Sequence, residues 1–239
     1  MSDHGASPAR ARPTLLFIPG WGFEPRCLES LIERLRGTFE TTLLAADPAY
    51  GELSRRLRES PSEVLLAGWS LGGMLAIEAA SRQPRRVAGL LLSGSTARFC
   101  SGGDFPFGVE EAKIRVLMRG LCKDPVGTLE RFHRDCALPH EPIVLPEGER
   151  AFPEVEILLR GLEYLRSTDL REAWMGLDMP RTVLHGLEDR IISWRAGDWL
   201  ARSSARVRWR PVEDAGHDLP LRRPDLVLRA LEDLMDELT

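Results

Sequence analysis

The chain has 239 residues, 43% of them hydrophobic, and a formal net charge of −4 at pH 7. That length suits one large domain, or a domain with an inserted piece, and the apolar content can fill a sizeable core. Mild acidity argues against a protein that coats polyanions, so no nucleic-acid partner is expected.

Four cysteines, Cys27, Cys100, Cys122 and Cys136, are widely spaced, with no C-x-x-C and no histidine cluster beside them. The pattern fits reduced thiols better than a zinc site or a disulfide framework. Neither a metal nor an organic cofactor is expected. Residues 1–13 are polar and punctuated by Pro and Arg, with no apolar core of a signal peptide. No apolar run approaches the ~20 residues of a membrane span. The expectation is a disordered leader on a cytoplasmic monomer with no membrane partner.

Short apolar strands then alternate with helices. Thr14 to Ile18 reads as a strand, Cys27 to Arg36 as a helix, Phe39 to Ala45 as a strand, and Gly51 to Glu59 as a short polar helix. Val64 begins a strand that leads into a helix from Leu71 to Ala80, and Val87 to Ser93 is another buried strand. From about Phe99 to Trp174 the strands stop. Helices are predicted at 109–121, 125–136 and 153–165, the last from the spacing of Val155, Leu158, Leu159, Leu162 and Leu165. The alternation resumes with a strand at 181–185, a helix at 195–201, a strand at 207–212 and an amphipathic helix at 224–238. This rhythm predicts a mostly parallel sheet with helices on both faces. Residues 14–98 and 175–239 would form its core, and 99–174 an inserted helical cap.

The sharpest chemical signal is Gly68-Trp69-Ser70-Leu71-Gly72, a G-x-S-x-G between a strand and a helix. Such an elbow lifts a serine hydroxyl above the sheet, and the glycines leave room where strand and helix nearly touch. The plainer alternative is a strand–helix connection in which Ser70 only caps the helix. A serine nucleophile needs a base, and the base needs an orienting acid. His217 follows the last strand in Asp214-Ala215-Gly216-His217-Asp218, at the strand end where such sheets carry their sites. His185 sits within a strand end and reads as structural. Asp189, in Gly186-Leu187-Glu188-Asp189, is the predicted acid, and Glu188 is read as a solvated turn carboxylate. The Leu71 amide and the amide of Trp21, in Gly20-Trp21-Gly22, are the candidate oxyanion donors.

These pieces together resemble the α/β-hydrolase fold from Leu15 to Leu238. Gly-Trp-Gly at 20–22, Gly-Trp-Ser-Leu-Gly-Gly at 68–73, Leu-Glu-Arg-Phe at 129–132, Pro-Glu-Val at 153–155 and Gly-Leu-Glu-Tyr-Leu…Thr-Asp-Leu-Arg at 161–171 are similar to the pimeloyl-[acyl-carrier protein] methyl ester esterases of biotin synthesis. The resemblance implies a carboxylesterase that cleaves a methyl ester on a carrier-bound acyl chain. It also implies that Trp21 and Leu71 form the oxyanion hole, that Ser70 and His217 contact the substrate, and that Phe132 and the residues to Cys136 line a channel under the cap. Arg131, with Arg134 on the same helix, would face the carrier. Between positions 113 and 134 six basic residues stand against only Asp124 and Glu130, the right sign for steering an acidic carrier. Departing from the family pattern, Pro19 stands where a histidine is usual. Competing readings are a general short-chain esterase, a C–C bond hydrolase, an acyltransferase, or a non-catalytic ligand-binding protein of the same fold.

Overall fold

The computed structural model describes residues 12–143 and 153–238. Most of the predicted leader therefore lies outside the described residues. Six strands form one sheet: β1 (Thr14–Ile18), β2 (Glu40–Leu43), β3 (Val64–Trp69), β4 (Val87–Ser93), β5 (Arg181–Gly186) and β6 (Val207–Val212). Their order is β2-β1-β3-β4-β5-β6, and every neighbouring pair is parallel. Strands β3 and β5 are buried at every position, as strands covered on both faces must be, whereas the edge strands β2 and β6 are only partly covered.

Helix α1 (Glu29–Leu35) packs on α10 (Pro224–Asp236), and α10 lies against β4 and β5. Helix α3 (Leu71–Arg82) covers β1, β3 and β4, and α8 (Trp194–Arg202) covers β5 and β6. A short α2 (Gly51–Glu59) precedes β3. The chain leaves β1 for β2 on one side and returns to β3 on the other. The order therefore reverses between β1 and β3, and such a reversal opens a crevice at the strands' carboxyl ends.

Between β4 and β5 the chain runs through α4 (Glu111–Lys123), α5 (Pro125–Ala137), α6 (Val155–Ser167) and α7 (Arg171–Met175). Among the described residues of this stretch the only β-type pairings are isolated bridges, such as Cys100 with Val109. Helix α6 is fastened to the sheet domain by Tyr164, which donates to Glu78, and by Arg160, 3.3 Å from Asp47.

Element ends differ from expectation in physically readable ways. The predicted helix at Cys27 opens as a 3₁₀ turn at Pro25–Leu28 before α1 proper. Phe39 does not start β2, because its N–H bonds back to Leu35 and closes α1. Among the described residues, the short α-helices α7 and α9 (Leu219–Arg222) lie outside the expected elements, each too short for periodicity to register. Among the described residues no helix is long and apolar enough to cross a membrane.

Candidate active site

Ser70 sits at the carboxyl end of β3 with φ 56° and ψ −120°. That is sharply strained backbone for a residue with a side chain. The strain is held by packing and hydrogen bonds. A Cβ on Gly68 would lie 2.3 Å from the Gly72 carbonyl oxygen, so strand and helix meet with no room to relax. The Ser70 N–H donates to Ser93, and Ser95 Oγ donates to the Ser70 carbonyl at 2.7 Å. Although Ser70 holds the N-cap position of α3, its side chain makes no capping hydrogen bond. The capping alternative thus fails, and the hydroxyl is left for other use.

Asp189 and His217 come together across the ends of β5 and β6. His217 Nδ1 lies 2.7 Å from Asp189 Oδ2, and both side chains are buried. The acid's other oxygen accepts the backbone N–H groups of Ile191 and Ile192 at 2.8 and 2.9 Å, which fixes its direction. Burial by itself pushes this carboxyl up. The charge of His217, with the hydrogen bonds from the His185 and His217 rings, outweighs burial and holds it well below the usual carboxylate range. Glu188 is exposed, as a solvated turn carboxylate should be, while its N–H ties the acid loop to Ala215 beside the histidine. His217 Nε2 is buried and makes no hydrogen bond among the described residues, Ser70 Oγ included.

Three supporting contacts escape a reading of the sequence alone. Trp69 donates its indole N–H to the His217 backbone carbonyl at 2.8 Å. His185, taken from sequence as a strand-end residue, places Nε2 2.9 Å from the Ile192 carbonyl and 3.4 Å from Asp189 Oδ2. That N–H donates to the carbonyl and is shared with the carboxylate beside it. Its spacing of four residues before Asp189, across Gly186, is the signal that could have found it. Ser95 buttresses the elbow from the loop after β4, a stretch that offers no acid.

Trp21 is buried, with its indole N–H donating to Leu158 of α6 at 2.8 Å and its ring edge-on to Phe132 at 4.8 Å. Leu71 opens α3, where the helix dipole favours developing negative charge at its N–H. Phe132 also lines a cavity of about 540 Å³ between α4, α5 and the acid loop, together with Ile114, Thr128, Arg131 and Ile191. Cys136 is placed otherwise. It is fully buried, its carbonyl accepts the Asp218 N–H, and burial beside Asp189 pushes its thiol up, so it does not line this cavity. Among the described residues, Lys113, Arg131 and Arg190 stand at the cavity with the carboxylate of Asp135. Arg131 and Arg134 are both exposed, and Arg131 donates to Thr128 at 3.1 Å. Among the described residues no cluster of three or more His, Cys, Asp or Glu is grouped to hold a metal ion.

A parallel sheet with a strained serine elbow at the crevice and a buried Asp–His pair beside it defines the α/β-hydrolase class. The family model described as "Alpha/beta hydrolase family" matches residues 15–230. Solved structures agree on the fold: a bromoperoxidase from Bacillus anthracis superposes with a TM-score of 0.83 at 16% identity, covering 95% of this chain and 92% of its own. An esterase from Exiguobacterium antarcticum gives 0.79 at 18% identity, covering 94% and 92%. The sequence relatives are narrower. The pimeloyl-[acyl-carrier protein] methyl ester esterase of Stenotrophomonas maltophilia (strain K279a) is 32% identical over 243 residues, 92% of each chain. That of Aromatoleum aromaticum is 28% identical over 247 residues, 94% of this chain and 98% of the relative. The chain belongs to the alpha/beta hydrolase family and, within it, to the pimeloyl-[acyl-carrier protein] methyl ester esterases.

Proposed function

We propose that the chain is a serine carboxylesterase that hydrolyses the methyl ester of a pimeloyl group carried on acyl-carrier protein, in biotin synthesis. One observation carries the chemistry. A hydroxyl not spent on capping stands at a strained elbow, and a buried imidazole nitrogen without a partner among the described residues belongs to the histidine that Asp189 orients.

In this reading His217 Nε2 takes the Ser70 proton as Oγ attacks the ester carbonyl. Asp189 holds the ring in the tautomer with its proton on Nδ1 and stabilises the imidazolium that forms. The N–H groups of Leu71 and Trp21 receive the developing oxyanion. As the tetrahedral intermediate collapses, His217 returns the proton to the leaving oxygen and methanol departs. Water then gives a proton to His217 and attacks the acyl-enzyme, releasing the free carboxylate and restoring Ser70. The Ser–His hydrogen bond forms as substrate binds, when such bonds tighten.

The helices between β4 and β5 act as a cap in this scheme, with the cavity beside Phe132 receiving the carrier's acyl arm. Exposed Lys113, Arg115, Arg119, Lys123, Arg131 and Arg134 supply the attraction for an acidic carrier. The deciding assay is hydrolysis of pimeloyl-carrier methyl ester. Wild type should cleave it, Ser70→Ala should lose both turnover and fluorophosphonate labelling, and Arg131→Glu should be impaired on the carrier substrate while keeping its rate on p-nitrophenyl acetate. Good cleavage of free esters with none of the carrier ester would leave only a general short-chain esterase. Labelling that survives Ser70→Ala would remove the serine mechanism.

A further inference from the structure

We infer that His133, on α5, is a positioning residue of the reaction, fixing and polarising the Trp21 amide through a relay of two peptide groups. The inference rests on Trp21 serving as an oxyanion donor, as proposed above. His133 Nε2 lies 2.8 Å from the Gly22 carbonyl oxygen. A carbonyl only accepts, so this nitrogen carries the proton. The Gly22 carbonyl shares a peptide unit with the Phe23 N–H, which donates to the Gly20 carbonyl at 3.3 Å. That carbonyl shares its peptide unit with the Trp21 N–H. A continuous chain of hydrogen bonds thus runs from the His133 ring to the amide that would meet the oxyanion. Each link in such a chain polarises the next, and the last N–H becomes a better donor.

The relay also fixes direction. Gly20-Trp21-Gly22-Phe23 is a tight turn with φ +79° at Gly22, the third position, where type II turns require a positive φ. Rotating the Gly22–Phe23 peptide would break the bond to His133 and the bond to Gly20 together. Helix α5 grips the turn in other ways. The His133 ring stacks on Phe23 at 4.3 Å, and Leu129 and Phe132 occupy the space a Cβ on Gly22 would need, at 3.1 and 3.5 Å. Trp21 is anchored separately by its indole on Leu158, so loss of the relay should leave the loop in place and only misdirect its amide.

The test compares His133→Phe, which keeps the stack and removes the donor, with His133→Gln, whose amide can still reach Gly22. Both are measured for kcat and KM on a p-nitrophenyl ester and for the Ki of a trifluoromethyl ketone, whose adduct places an oxyanion in the site. His133→Phe should lower kcat about tenfold and weaken the ketone about as much, with KM within about twofold. His133→Gln should recover most of both. If His133→Phe is insoluble, His133→Asn, whose shorter amide falls short of the carbonyl, replaces it. Unchanged kcat in the donorless variant, or equal losses in both variants with a fallen Tm, would overturn the relay. Ser70→Ala is run alongside: if it stays active the serine mechanism itself fails, whereas its inactivity beside a fully active His133→Phe removes only the relay.

Discussion

The indole N–H of Trp69 donates to the backbone carbonyl of His217 at 2.8 Å, joining residues 148 positions apart in the chain. The residue before the elbow serine thus holds the loop that carries His217, and Ser70 and His217 are tied to each other through one buried bond. The two rings stand 5.8 Å apart, so the buried indole also forms a wall beside the imidazole.

Replacing Trp69 with Phe keeps most of the wall and leaves that carbonyl buried without a donor. The variant should lose about 1–3 kcal/mol in denaturant unfolding, the cost of an unpaired buried group. Its kcat/KM on small esters should fall roughly tenfold through a misplaced imidazole. Urea melts and steady-state kinetics on one preparation check both.

Asp189→Asn should reduce kcat by about 10⁴-fold, since the amide can hold the imidazole in the wrong tautomer. The acid also has a stability signature. Its carboxyl is held below the ordinary carboxylate range, chiefly by His217 acting against burial. An unfolded carboxyl binds its proton at higher pH than this one does, so the native carboxylate contributes stability that is full above about pH 4 and is lost as pH falls below that. The stability difference between wild type and Asp189→Asn should shrink as pH falls from about 5 into stronger acid. Denaturant midpoints across that range measure it.

Gly161, on α6, faces Trp21: a Cβ there would lie 2.7 Å from the ring's Cδ1 and 3.2 Å from its Nε1. Gly161→Ala must therefore move either the ring or the helix, with its Leu158 anchor. We expect kcat to fall at least about fivefold, with far-UV circular dichroism unchanged and tryptophan fluorescence shifted, because the disturbance is local.

Of the four cysteines, none of them in a disulfide, Cys122 is exposed while Cys27, Cys100 and Cys136 are buried. Burial pushes the Cys100 and Cys136 thiols up, which suppresses the reactive thiolate. A thiol titration with Ellman's reagent should consume one equivalent quickly and the remainder only on unfolding. Alkylating Cys122 should leave esterase activity intact.

Much of this could be read from sequence, for local reasons. Buried parallel strands announce themselves as apolar runs such as Leu90-Leu91-Leu92, and Gly68 and Gly72 bracket a serine at a spacing with a steric cause. The turn's pattern distinguishes Asp189 from Glu188, of which the first is buried and the second exposed. Contacts between distant segments left no such trace. His133 meets Gly22 across 111 positions and Trp21 meets Leu158 across 137, and nothing in either local pattern announces the partner. Cys136 lies on the same helix as Phe132, and its carbonyl accepts the Asp218 N–H beside His217, a contact that no local pattern announces.

The strand order bears on how the protein is born. A ribosome delivers β1 to β4 first, and these four strands are already neighbours in the sheet, so elbow and Trp21 loop can assemble early. Asp189 and His217 arrive only with the turns after β5 and β6, which add one after the other to a single edge. Under the proposed mechanism an unfinished chain would therefore display Ser70 with nothing to activate it, and esterase activity should switch on only when β6 and the turn that carries His217 have docked.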